Sequence, residues 1–148
     1  MATVTTQAAV KAALKAALLA RALIVSDHIQ VSYGEPGDEG RSEVIFIGTA
    51  AVNQDQEPRA FGSPGKRLED YVLKVHAENS SKPSPEQAEA RVIVLIGEVE
   101  RAVIESPKLG VDGVSFIIPT GMTLRTSETE TGNRAIATVN LSVTARLT

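Results

Sequence analysis

The stretch 134–147 constrains the fold more than any other part of the chain, because it alternates almost without fault. Ala135, Ala137, Val139, Leu141, Val143, Ala145 and Leu147 fall on one side, and Arg134, Thr138, Asn140, Ser142, Thr144 and Arg146 on the other. Ile136 is its one apolar outlier. A strand this long, apolar on one face and polar on the other, requires strands beside it and a second layer over the apolar face.

Other segments supply both. Ile29, Val31 and Tyr33 alternate with His28, Gln30 and Ser32 before a turn-rich run at 34–40. Residues 43–52 are apolar on both faces, Val44 and Phe46 against Ile45 and Ile47, which suits a strand buried on two sides or at a subunit contact. Gly48 marks a bulge there. A third strand spans 67–78, with Tyr71, Leu73, Val75 and Ala77 opposite Asp70, Lys74, His76 and Glu78, and Val72 breaking the alternation. Val114, Phe116 and Ile118, then Met122 and Leu124, form with 134–147 a hairpin in which Pro119 suits an edge position.

Two helices complete the order. Residues 6–23 carry Val10, Leu14, Ala17 and Leu18 on one stripe, capped by Thr5 or Thr6, with Lys11 and Lys15 on a face expected to be solvated. The second opens at Ser84 with Pro85 in its first turn and Gln87 completing a capping box. Its core stripe is Ala88, Val92, Leu95, Val99 and Val103, widened by Ile93 and Ile96, and it stops near Pro107. The prediction is one α+β domain over 1–148, a mostly antiparallel sheet of about five strands with two helices mainly on one face, in the order α-β-β-β-α-β-β. Segments 53–66 and 126–133 are expected to protrude as loops.

Composition narrows the function. At 148 residues the chain is one ordinary domain in size, and it has no cysteine, which removes disulfides, thiolate metal sites and cysteine nucleophiles. Lys11, Lys15 and Arg21 interrupt the apolar start where a signal peptide needs an uncharged run, so an uncleaved protein made in a cytoplasm is expected. No segment has the ~18 uninterrupted apolar residues of a membrane-spanning helix. The net charge of −3 becomes −6 beyond residue 26, and only five residues are aromatic; both argue against a dedicated nucleic-acid binder.

Catalytic patterns are wanting. His28 and His76 lack a helical-spacing partner that could chelate with them and read as structural or surface histidines. Residues 62–67 resemble a phosphate loop only faintly, since Ala60 and Arg67 stand where glycine and Ser or Thr are needed. Glu69 and Asp70 face opposite sides of a strand and cannot act as a pair. No catalytic residue, cofactor site or metal site is assigned.

The succession IQVSYGEP, EVIFIGTA, RLEDYVLKVHAE, AEARVIVLIGEVERAVIESP with LGVDG after it, and a final strand ending SVTARL resembles the tail terminator, or tail completion, proteins of long-tailed bacteriophages. The resemblance covers nearly the whole chain and carries over no functional residue. It implies a virion protein at the tail–neck junction, assembled in the host cytoplasm. Such a subunit forms a ring, commonly six-fold, that ends tail-tube growth and presents a surface to the head connector. Its partners would be copies of itself, the tube protein and neck proteins, with DNA passing through the lumen unbound. In that setting Val44, Ile45, Phe46, Ile47, Ile93 and Ile96, with Arg59 and Phe61 of the 53–66 arm, are candidate interface residues, and Glu128 and Glu130 candidate lumen-facing acids. The alternatives are a head-closure or neck adaptor protein, and a small enzyme or ligand-binding domain.

Overall fold

The computed structural model describes residues 4–34, 42–48, 52–56, 67–129 and 132–147. Their order is α1 (Gln7–Leu19), α2 (Ala22–Ser26), β1 (Gln30–Ser32), β2 (Glu43–Ile47), β3 (Val52–Gln56), β4 (Arg67–Asn79), α3 (Pro85–Glu105), β5 (Val114–Thr129) and β6 (Gly132–Leu147). Among the described residues six strands form one sheet in the order β1-β2-β4-β6-β5, with β3 also against β4. β1 runs parallel to β2, and every other pairing is antiparallel. This is the expected α+β architecture, with one helix and one strand more than the sequence pattern indicates.

The alternation in β4 and β6 does what it predicts. The two strands pair from Arg67↔Leu147 to Asn79↔Ala135, so Leu73, Val75, Leu141 and Val139 meet on one face and are sealed from solvent. α3 lies over that face, against β4, β5 and β6, and α1 packs against α3 and β1. All five stripe residues of α3, with Ile96, are buried in the same core as Val10, Leu14 and Leu18 of α1. The Ser84 cap and the Pro85 position are as read: the Ser84 hydroxyl accepts from the Gln87 N–H at 3.2 Å, which is the serine half of the expected capping box, and Pro85 occupies the first turn.

Four expectations are corrected. The first helix does not run unbroken to residue 23. Arg21 leaves it for an extended conformation and reaches Glu98 and Glu105 on α3, and a short second helix follows. Lys11 is not solvated. It is 5% exposed, its stem lies in the packing, and its ammonium sits 4.2 Å from the centroid of the Tyr33 ring. Residues 53–56 are no loop, since β3 pairs with the first half of β4 from Val52↔Tyr71 to Gln56↔Arg67. Within 126–133, the β5–β6 ladder continues through Thr126↔Ala135 to Thr129↔Gly132. Residues 57–66, with Arg59 and Phe61, and Glu130 lie outside the described residues.

β2 and β3 flank the same edge of β4, and the pairing slips by one residue between Ile47↔Val75 and Val52↔Tyr71. Gly48 stands at the start of this slip. Its N–H donates to the Lys74 carbonyl at 2.7 Å, and a Cβ would come within 3.2 Å of that oxygen and 3.3 Å of His76 Nε2. A side chain here would push β4 back by a few tenths of an ångström, so glycine suits the close approach of the two backbones.

Candidate assembly surfaces

Two polar groups lie on the covered side of β4: Asn79, which donates to Glu43 at 3.1 Å and to Ser81 at 3.2 Å, and a cluster around Glu69. Glu69, on the same face of β4 as Tyr71 and Leu73, is fully buried. It accepts hydrogen bonds from the Thr6 N–H at 2.9 Å and the Thr6 hydroxyl at 2.6 Å, and that hydroxyl lies 3.0 Å from the Tyr71 phenol. Thr6 is the residue before α1, so a carboxylate takes up a free N–H at a helix start, where the dipole also favours negative charge. Burial pushes the Tyr71 phenol up to about 12. The cluster ties the first helix to the sheet and leaves no carboxylate pair: Asp70, its neighbour, is on the opposite face and accepts from Thr144 at 3.0 Å.

Two arginines clamp the helices. Arg91 of α3 donates to Glu43 of β2, at 3.1 Å for one contact, and to Asp27 after α2 at 2.6 Å. The Glu43 hydrogen bond, then that of Asp27, raises the pKa of Arg91, and Arg91 in turn lowers that of Asp27. Arg21 bridges Glu98 and Glu105, and its pKa is raised, chiefly by Glu98. These ion pairs connect α3 to β2 and to the chain around α2, and Arg91 also borders a shallow groove on the outer side of α3.

The two surfaces left over are of a different kind. On the uncovered side of the sheet, Val72 of β4 and Ile118 of β5 flank Ser142 of β6 in one cross-strand row, and Phe116 lies over Thr144 in the next. Val72, Phe116 and Ile118 are 41%, 41% and 48% exposed. Nearby, Phe46 stacks on His76 at 4.7 Å between ring centroids, and His76 Nδ1 lies 2.8 Å from the Thr138 hydroxyl. On the far side of α3, Ala90, Ile93, Val94, Gly97 and Ile104 follow one another at helical spacing, with Ile93 and Ile104 47% and 67% exposed. A shallow groove bordered by Lys82, Gln87 and Arg91 reaches Ala90 and Val94.

Of the candidate interface residues, Val44, Ile45, Ile47 and Ile96 are covered by the chain's own atoms, Phe46 is half-buried, and Ile93 is open to solvent. The apolar strand is thus fully covered on the core face that holds Ile45 and Ile47, while on its other face Val44 is covered and Phe46 half-buried. Glu128 is exposed near the end of the hairpin. His28 sits in a turn with φ 53°, outside β1, and His76 is on the polar face of β4 as read. Among the described residues no group of three His, Asp or Glu is placed to hold a metal ion, and no helix is long and apolar enough to cross a membrane. The sheet patch was signalled by Val72, the break in the alternation, and the helix patch by the second apolar stripe at 90, 93, 94, 97 and 104. Neither signal says what covers the patch.

No family model matches the chain, and no curated protein matches it. Among solved structures, 28 chains match. One of them belongs to the virion of a native gene transfer agent particle. It is 16% identical, with a TM-score of 0.52, over 93% of this chain and 92% of that chain. At this identity the likeness is one of fold, and it takes in more than nine-tenths of both chains.

Proposed function

We propose that this chain is a structural protein of a phage-type virion that caps the head-proximal end of a tail tube as a ring, ends tube growth and offers the docking surface for the head connector. The observation that carries the reading is the end-to-end fold shared with a chain of the gene transfer agent virion. The order of sequence motifs supports the terminator role within that class, and the exposed apolar surfaces on sheet and helix suit a subunit that works in an assembly.

Termination follows from one physical asymmetry. One face of the ring reproduces the contacts that a tube ring makes, and the other lacks them, so no further tube subunit adds. Acidic side chains such as Glu128 near the hairpin end would repel phosphate if they line the lumen, letting DNA pass without adhering. Replacing Glu128 and Glu130 with lysine would then leave assembly intact and slow DNA ejection, and unchanged ejection removes the lumen assignment.

The test of the role is to inactivate the gene in its parent genome and measure tail lengths in the lysate by electron microscopy. Abnormally long, headless tubes are expected. Normal-length tails beside DNA-filled heads would instead make the protein an adaptor, and intact infectious particles would contradict both.

A further inference from the structure

Lys11 is the one cation buried among the described residues, at 5% exposure. Its ammonium lies 4.2 Å from the centroid of the Tyr33 ring and makes no hydrogen bond or ion pair among the described residues. Less covered cations are served differently. Arg21 bridges Glu98 and Glu105, Arg91 bridges Asp27 and Glu43, and Arg134 meets Glu78. A ring face attracts an ammonium but does not replace acceptors for its N–H groups. Among the described residues no side-chain nitrogen sealed from solvent lacks a partner, so the Lys11 ammonium ends at the edge of the packing, within reach of an acceptor from outside.

Lys15 stands one turn further along the same side of α1, half-buried and likewise without a carboxylate among the described residues. Like charges at this spacing weaken a helix, and an anion between them reverses the sign of that term. The helix surface next to the two lysines includes Ala8 and Ala12, both exposed, so no long side chain of α1 stands in the way of an approaching group. Residues 1–26 hold three basic side chains and no acidic one, and Arg21 is already used within the chain. Lys11 and Lys15 are what remains of that positive end.

We infer that Lys11, Lys15 and the Tyr33 ring form a carboxylate-binding site whose occupant is an acidic side chain of a second copy of this chain. Every copy brings both halves of the contact. Glu86, Asp112 and Glu128 are exposed and have no ion pair among the described residues. The charge of −6 beyond residue 26 repels a phosphate chain and supplies carboxylates, which favours a protein ligand over a nucleic acid. A contact from the α1 site of one copy to an acid of the next is head-to-tail, and it closes into a ring when the rotation between copies allows. That closure rests on the ring reading above; the site itself stands on Lys11, Lys15 and Tyr33.

A carbodiimide condenses a lysine and a carboxylate in contact into an amide. In particles assembled from a mixture of unlabelled and heavy-isotope-labelled copies, it should join Lys11 or Lys15 of one copy to an Asp or Glu of another, identified by peptide mass spectrometry. Links confined to one copy, links from these lysines to a different virion protein, or no link at them while other lysines react, each overturn the inference. Absence of the protein from particles overturns the ring reading instead, and the same reaction on the purified chain at high concentration then decides the site. Replacing both lysines, Lys11→Met and Lys15→Met, keeps apolar stems in the packing and removes the charges. The melting midpoint should hold or rise, while retention of the protein in particles falls about tenfold. Undiminished retention of that folded variant also overturns the site.

Discussion

The two faces of β6 differ in what they do. On the covered face, Val139, Leu141 and Val143 are sealed beneath α3 and hold the fold together. On the open face, Thr138, Asn140, Ser142 and Thr144 are polar and half-buried, and their partners are neighbours within the sheet, such as His76 and Asp70. Stability thus comes mainly from one side of the sheet, and the sequence of the other is less constrained by folding. A few apolar residues, Val72, Phe116 and Ile118, can be tolerated there at little cost to folding, because scattered surface hydrophobes neither aid nor harm a monomer much.

Substitutions sharpen or break this contrast. Leu141→Ala should cost about 3 kcal/mol, lost burial plus a cavity, whereas Ser142→Ala one residue away should stay within about 0.5 kcal/mol. Denaturant titration checks both, and similar losses would erase the distinction between the faces. Glu69→Ala, the removal of the one acidic side chain buried on the covered face of β4, leaves the Thr6 N–H and hydroxyl without their acceptor and should cost about 2 kcal/mol. Hydrogen exchange should then quicken at the start of α1 before it does in α3. Ser84→Ala removes the α3 cap and should cost about 1 kcal/mol, read from the same titrations.

A pH dependence follows from the same Thr6–Glu69–Tyr71 cluster. The Tyr71 phenol is raised from 10.0 to about 12 by burial, so above pH 10 the unfolded chain loses this proton first. Stability from this group is complete below pH 10 and declines as pH rises from 10 to about 12. Tyr71→Phe should flatten that part of the stability–pH curve, and an unchanged slope would mean that other groups set it.

Much of the covered face is legible in the sequence, since burial under a helix layer imposes a period of two on β4 and β6 and a helical period on α3. Local chemistry was also readable, as the Ser84 cap shows. What escapes are features decided by distant partners. Arg21 breaks the first helix to meet Glu98 and Glu105, and Lys11 is buried because Tyr33 offers a ring. β3, Val-Asn-Gln-Asp-Gln, carries no apolar alternation and is a strand through backbone pairing with β4. The continuous apolar run at 44–47 reads equally well as a core strand or a contact, and only the tertiary structure shows that its core side is covered. The open face is the hardest to read, because a polar alternation looks the same against water as against a partner.

The most direct measurement is a cryo-electron-microscopy reconstruction of the tail–neck junction in particles of the parent virus. The account predicts a single ring of this chain between the last tube ring and the connector, with the exposed Val72, Phe116 and Ile118 face against a neighbouring subunit. A junction without this chain, or a ring in which that sheet face remains open to solvent, would contradict it.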